Sequence, residues 1–478
     1  MIHSLFDLED NERHEITDHL FRKLDQYYTH THLLPVAPVL NQKEIRDAVR
    51  KFDFNEVKDR QESLDAIVEA LEKYTVHISH PAYFGLFNPR ANYAGILADL
   101  ISAVFNIQMA AWSHAPFAAE AETWLVEQFG LKFGYAPESV DGVFCTGGAE
   151  ANQTALLCAL NHQIPDFGEN GLAGMEKKPV IYCSAQSHHS LIKAARTAGV
   201  GASAVRAIGV LPDLRMDTAE LESAIQADLS QGFLPVMVAG TAGTTGPGAI
   251  DDLPAIAAIC RKYHLWFHVD AAYGGAVVLH PEYRHWIRGI EESHSITFDI
   301  HKWLSVPMSC SLFLTKETQI LKKTFSIETG YMPRDARGLE ITDPFTHSIQ
   351  WSRRFIGFKL FLSLVFYGWK GYADTIEYQV KMGDLLKEKL VRAGWKINNH
   401  SRLPIVCFTD KNHENDANFA PAICNYVVKS GKAWISVFPI DTRPALRACI
   451  TNYATTEKEI DELILLLAEA KTAAGYQP

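Results

Sequence analysis

The chain is expected to be an α/β protein, with a large domain on a mainly parallel sheet flanked by helices and a small C-terminal α/β domain. Three observations carry the expectation. From Asp141 onward, short apolar runs of strand length alternate with longer helical segments. The connections between them are short, as expected when crossover helices cover both faces of a parallel sheet. After a long helical stretch the alternation resumes on a smaller scale in the final part of the chain. The expected units are an N-terminal helical segment (1–80), a large domain (81–370) and a small domain (371–478), within the range that 478 residues allow.

Composition narrows the function classes. A 47% hydrophobic and 21% charged content is that of a soluble globular protein. A formal charge of −11 argues against nucleic acid as a partner, since phosphate binding needs a basic face. No stretch approaches the ~20 apolar residues of a membrane helix, and the first residues lack the basic start and apolar run of a signal peptide. Cys145, Cys158, Cys183, Cys260, Cys310, Cys407, Cys424 and Cys449 form no CxxC and several fall in apolar runs. They read as reduced core residues of a cytoplasmic protein.

In chain order, Ile16, Leu20, Leu24 and Tyr27 mark a helix over about 10–29, and 64–74 repeats the pattern. Between them, 33–40 is a proline-broken extended segment. His80–Arg90 (HPAYFGLFNPR) is rich in aromatics and glycine and reads as a loop. Helices follow over about 93–105 and 117–129. Strands are expected near 142–145, 180–184, 236–239, 266–269, 295–298 and 309–314, with helices at 149–160, 191–198, 218–229 and 253–263. Asp217 followed by Glu220 is a helix cap. A segment from 315 to about 345, containing Glu328–Gly338 (ETGYMPRDARG), reads as a long loop. Helical stretches over about 352–369 and 378–393 precede the small domain. Its strands are expected at 405–408, 435–438 and 446–450, and its helices at 420–429 and 456–470.

The chemistry-bearing motifs fall where strands end, the edge at which open α/β sheets bind ligands. In SITFDIHKW (295–303), Lys302 closes an apolar run. A lone lysine there would be expected to snorkel to solvent. Burying an ammonium is costly, however, and the neutral amine is the form that condenses with a carbonyl. In HVDAAYGG (268–275), Asp270 ends an apolar strand, where a carboxylate needs a partner. In CTGGAE (145–150), the glycines open a helix, and backbone N–H groups with a helix dipole suit a phosphate. That turn matches neither GxGxxG nor GxxxxGK[ST], so neither dinucleotide nor nucleoside triphosphate is favoured. His188 and His189 are adjacent and point apart, and no HExxH accompanies them, so no metal site is read.

These motifs in this order resemble the fold type I, pyridoxal 5′-phosphate (PLP)-dependent enzymes of the group II amino acid decarboxylase family. His301-Lys302-Trp303 and Asp270-Ala-Ala-Tyr273 carry the resemblance, which extends from about His80 to the C-terminus. It implies a PLP-dependent-transferase-like architecture with PLP as cofactor. Lys302 would hold the cofactor, Asp270 would pair with its pyridinium nitrogen, and Ala272 would pack beneath the ring. His188 would stack on the ring, Thr146, Gly147, Gly148 and Ala149 would cradle the phosphate, and His301 would help place phosphate or ring. Thr244 would lie near the cofactor and Asp251 would support His188 or the ring edge. The His80–Arg90 loop would wall the substrate pocket with Phe87, Asn88 and Arg90, and Trp112 would add apolar surface. Tyr331 falls, counting from Lys302, where the family's decarboxylases carry a loop tyrosine that protonates the product carbon. The family works as a homodimer with active sites at the interface, the N-terminal segment packing on the partner.

Two departures bear on substrate. Asp299 stands where animal aromatic decarboxylases carry asparagine, and a carboxylate would repel a phosphate, so it is assigned no phosphate contact. Ala110 stands where those enzymes put a bulky aromatic, which weakens the case for an aromatic substrate. The expected activity is α-decarboxylation of an L-amino acid, aromatic in first place. Alternatives are an acidic or diamino acid substrate (Arg90 being the candidate partner for an acidic side chain), aldehyde synthase or carbon–carbon lyase chemistry, and a catalytically inactive PLP-fold binding protein.

Overall fold

Seven short strands, most of them fully buried, form the large domain's sheet in the computed structural model, which describes residues 6–327, 341–440 and 442–476. They are β1 (Asp141–Cys145), β2 (Pro179–Ser184), β3 (Val205–Ile208), β4 (Leu234–Thr241), β5 (Trp266–Asp270), β6 (Ser295–Phe298) and β7 (Ser311–Thr315), in the order β1-β7-β6-β5-β4-β2-β3. From β6 to β3 every neighbour is parallel; β7 runs antiparallel to both β6 and β1. The helices before and within this sheet are α1 (Asp10–His30), α2 (Gln42–Arg50), α3 (Arg60–Tyr74), α4 (Tyr93–Phe105), α5 (Pro116–Phe133), α6 (Gly148–Gln163), the single turn α7 (Phe167–Asn170), α8 (Ser190–Thr197), α9 (Thr218–Ser230), α10 (Leu253–Tyr263) and α11 (Ile320–Phe325). Asp217 caps α9 as expected, accepting from the N–H groups of Ala219 and Glu220.

The strands are apolar on both faces because both are covered. One face packs Phe129 of α5 and Ile256 of α10 against Phe144, Val238 and Phe298. The other packs Ala151 and Ala155 of α6 and Leu191 of α8 against Val143, Ile181 and Phe313. Register then decides where chemistry gathers. Thr241 pairs with Asp270, Asp270 with Thr297, Phe298 with Leu312 and Cys145 with Ser311. The C-terminal ends of β1, β4, β5 and β6 therefore share one edge.

The helix after the 341–357 segment, α12 (Phe358–Arg392), runs through both expected helical stretches and is broken only at Gly368, where φ is +61°. It starts six residues later than the apolar pattern suggested. The reason is a buried ion pair: Arg353 grips Glu122 of α5 with two nitrogens (3.0 and 2.6 Å), and the Gly357 N–H donates to the same carboxylate at 2.9 Å. The small domain is an antiparallel sheet, β10 (Ser436–Ile440), β11 (Arg443–Cys449), β9 (Ile405–Asp410) and β8 (Trp395–Ile397), backed by α13 (Phe419–Lys429) and α14 (Glu457–Ala473). Its core also takes in Val36, Ala82, Tyr83 and Phe84. The Phe84 N–H donates to the Trp434 carbonyl, and the Phe84 carbonyl accepts from Cys449 N–H. The His80–Arg90 loop is thus anchored on the small domain just before it enters the site.

Neither the single turn α7 nor α11, inside the segment from 315 read as a loop, was expected, and the same holds for α2, β3 and β8. All are short, α2 buries no residue, and β3 is the sheet's edge strand, so periodicity had little to register. All eight cysteines are unpaired, and all but Cys424 are buried. Among the described residues no helix is long and apolar enough to cross a membrane.

Candidate active site

Lys302 sits in the tight turn that follows β6, where its backbone N–H donates to the Asp299 carbonyl at 3.1 Å. Its Nζ lies 2.8 Å from Asp299 Oδ2. Asp299 is 3% exposed and also accepts from the Ser311 hydroxyl at 2.6 Å. Burial alone would push its carboxyl up; the Lys302 charge and the hydrogen bonds from Lys302 and Ser311 outweigh that and hold it below the usual carboxylate range. The His301 ring is fixed by the Cys310 backbone, its Nδ1 2.7 Å from the carbonyl oxygen and 3.1 Å from the amide nitrogen. Burial lowers its pKa, so it is a neutral imidazole at pH 7.

Asp270, 5% exposed, ends β5 and accepts from Ala272 N–H (3.1 Å) on Oδ1 and from Asn152 Nδ2 (2.9 Å) on Oδ2. Asn152 is the hub of a buried relay. Only its NH2 can face a carboxylate, so its Oδ1 faces the Thr297 hydroxyl (2.7 Å) and His268 Nε2 (3.0 Å). That fixes the proton of His268 on Nε2 and leaves Nδ1 to accept from the Ser295 hydroxyl at 2.9 Å. Burial pushes the His268 pKa down to about 4, keeping the neutral tautomer the relay requires. Asn152 and His268 escaped the sequence reading. The available signal was a polar residue on the sheet-facing side of an alanine- and leucine-rich helix, one turn after the glycines.

The glycine turn lies against the Lys302 turn. A Cβ on Gly148 would stand 2.8 Å from Asp299 Oδ2, so only glycine fits. Over Gly147 the space is open: a Cβ there would meet a His301 ring carbon at 3.9 Å. Glu150 braces the turn, accepting from Thr146 N–H (2.8 Å) and hydroxyl (2.6 Å). The first N–H groups of α6, at Gly148 and Ala149, have no partner inside the helix. His188, at the end of the β2–α8 connection, keeps an exposed ring whose Nδ1 accepts from Ser190 N–H at 3.2 Å. Partial desolvation lowers its pKa, and the Asp270 carboxylate raises it in part.

Phe87 forms the opposite wall. Its ring stacks on Tyr273 (centroids 4.0 Å apart), which stacks on Trp303 (4.8 Å). Lys302 Nζ lies 5.5 Å from the Phe87 ring centre, and the Arg447 guanidinium from β11 lies 4.9 Å from it. Asn88 is adjacent, its Nδ2 3.1 Å from Met308 Sδ.

These residues fit PLP. Asp270 receives two neutral donors, and among the described residues no lysine or arginine pairs with it, which suits a pyridinium N–H. The open turn over Gly147 at the start of α6 suits the phosphate.

Three expectations are corrected. Thr244 is fully buried, and its hydroxyl accepts from Ala249 N–H (2.9 Å) within its own loop, so it faces no ligand space. Asp251 supports neither His188 nor a ring edge. It accepts from Met216 and Thr241 N–H (2.7 and 2.8 Å), and burial pushes its carboxyl up to about 6. Arg90 lies over the Tyr28 ring (3.9 Å) and donates to the Tyr28 carbonyl (2.6 Å), tying the loop to α1 rather than facing Lys302. Trp112 is held by Glu120 (2.7 Å) and Asp343 (2.8 Å). Tyr331 and the rest of 328–340 lie outside the described residues.

A family model described as the pyridoxal-dependent decarboxylase conserved domain matches residues 47–411. An L-aspartate decarboxylase of Metarhizium robertsii is 31% identical over 67% of this chain and 64% of its own. Tyrosine decarboxylase 2 of Narcissus pseudonarcissus is 29% identical over 91% of this chain and 89% of its own. Among solved structures, Oryza sativa TDC with PLP and tryptamine superposes with a TM-score of 0.92 at 24% identity, covering 99% of each chain; at that identity the likeness is one of fold.

Proposed function

The chain belongs to the pyridoxal-dependent decarboxylase family, and from that premise we propose that it removes the α-carboxyl group of an aromatic L-amino acid, releasing carbon dioxide and the amine. When bound, PLP supplies an electron sink for the bond that loses carbon dioxide. Lys302 would hold the cofactor through its aldehyde carbon. Asp270, oriented by Asn152 and Ala272 N–H, keeps the pyridine nitrogen protonated. His188 would pack its neutral ring against the cofactor, and the 146–149 turn would hold the phosphate. Tyr331, supported by its register from Lys302, returns a proton to the α-carbon.

The observation that carries the aromatic reading is Phe87, stacked on Tyr273 and 5.5 Å from the Lys302 amine, a flat apolar wall beside the reacting atoms. An acidic substrate is the second reading. Arg447 Nη2 is buried without a hydrogen-bond partner beside the same ring, and one relative is an L-aspartate decarboxylase. The enzyme is further proposed to act as a cytoplasmic homodimer. Its unpaired cysteines suit a reducing compartment. Val104 and Phe105 of α4, Phe117 of α5, and Val365 and Phe366 of α12 expose an apolar face of the kind that subunit contacts cover.

The test is a mass-spectrometric screen of PLP-loaded protein against each proteinogenic amino acid, dihydroxyphenylalanine, 2,4-diaminobutyrate and ornithine, with Lys302→Ala as control. An aromatic amine with matching carbon dioxide supports the reading, and an acidic or diamino substrate replaces it with the second class. Aldehyde in place of amine would indicate oxidative chemistry. Cleavage of a carbon–carbon bond other than that to the α-carboxyl would indicate a lyase of another type, and no product at all a binding role.

A further inference from the structure

Asp299 and Lys302 form an ion pair within one tight turn. The carboxylate is almost fully buried beneath the glycine turn, 2.8 Å from Lys302 Nζ. A buried carboxylate stays ionised only with a compensating charge, and the three-residue turn places the Lys302 ammonium there. Yet the same nitrogen has to shed that charge to hold an aldehyde carbon. One side chain therefore has two incompatible tasks, which it can perform only in turn.

We propose that Asp299 is a positioning residue that holds the Lys302 ammonium whenever the lysine is not joined to the cofactor, before loading and again while substrate occupies its place. The proposal rests on the reading of Lys302 as the cofactor lysine. On loading, the ammonium loses one proton to solvent, the freed nitrogen lone pair bonds to the aldehyde carbon, and the aldehyde oxygen departs as water. On exchange, the substrate's amino nitrogen takes over that carbon, and Lys302 leaves, takes up a proton and returns to Asp299. Asp270 is not the group that holds Lys302, whose Nζ pairs with Asp299 instead.

The titratable groups around Asp299 leave the pair intact. His301 on the same turn, 3.9 Å away, and His188 from the β2–α8 connection are both held toward the neutral imidazole. Burial likewise pushes the thiols of Cys145 on β1 and Cys310 before β7 upward and keeps them neutral. Ser311 contributes a hydroxyl, and Gly148 no side chain.

The experiment follows covalent PLP capture by cofactor-free protein through its visible absorbance between about pH 6 and about pH 9. Asp299→Asn keeps the shape and removes the charge. It is expected to capture PLP about tenfold faster at neutral pH, with a shallower rise toward alkaline pH, because one charge-assisted hydrogen bond no longer has to break. Ser311→Ala strips the carboxylate of a competing donor and is expected to slow capture by about twofold. Pyridoxamine 5′-phosphate, which has the ring and phosphate but no aldehyde, should bind wild type and Asp299→Asn equally. Unchanged capture rates in both variants would overturn the proposal. An equal change in pyridoxamine 5′-phosphate affinity would also overturn it, by placing the effect at the phosphate. Wild-type protein that binds pyridoxamine 5′-phosphate yet never captures PLP covalently would instead defeat the reading of Lys302.

Discussion

Replacing Asn152 by alanine should damage the site more than any conservative change outside the reacting residues. Asn152 is 1% exposed and makes four hydrogen bonds: to Asp270, His268, Thr297 and Ser190, at 2.7–3.0 Å. Three join neutral groups, each contributing about 1 kcal/mol net, and the one to a carboxylate contributes about 2 kcal/mol. Their partners cannot turn to solvent, so truncation leaves them unsatisfied. Water entering the vacated volume restores part of the loss. The expected destabilisation is about 3–4 kcal/mol, and Asp270, freed to rotate, should bind PLP at least about tenfold more weakly. The assay is urea unfolding of the cofactor-free protein followed by tryptophan fluorescence, paired with absorbance titration by PLP. A midpoint shift worth less than about 1 kcal/mol, with unchanged PLP affinity, would refute the relay.

His268 gives the protein an acid sensitivity of defined sign. Its folded pKa of about 4 lies below the ordinary 6.5, so the unfolded chain binds the extra proton first. Stability should therefore fall as pH drops from about 6.5 toward 4, by up to about 3 kcal/mol. His268→Gln, compared by urea unfolding at several pH values, should lose that portion of the slope; parallel profiles would count against it. Thr244→Val removes the acceptor of Ala249 N–H and is expected to cost about 1–2 kcal/mol while leaving PLP affinity unchanged. Weaker PLP binding at wild-type stability would return Thr244 to the cofactor. Tyr331→Phe is expected to lose amine and gain aldehyde in the product screen, and an unchanged product ratio would end its assignment as proton donor.

How much of the site was legible depended on how far apart its parts lie in the chain. The HKW tripeptide, the DAAY run and the glycine turn each hold their chemistry within a few consecutive residues, at strand ends that apolar patterning locates. Lys302, Asp270 and Gly148 could therefore be named before any contact was known. Arg90 and Thr244 could not be judged that way. A polar side chain in a loop can meet any element that packs on it. Here Arg90 met Tyr28, sixty-two residues away, and Thr244 turned back on its own loop.

Local sequence alone determined the α/β class, the strand ends and the three motifs, because hydrophobic period and glycine turns act over a few residues and need no partner. Only the tertiary structure decided which polar groups share a charge. The register that sets Asp270 beside Thr297, and Cys145 beside Ser311, brought α6 and its Asn152 under β5 and placed Asp299 beneath Gly148. Desolvation depends on what surrounds a group on every side. The neutral His268, the ionised Asp299 and the held Lys302 are thus properties of the packed sheet edge, and no single stretch of the chain carries them.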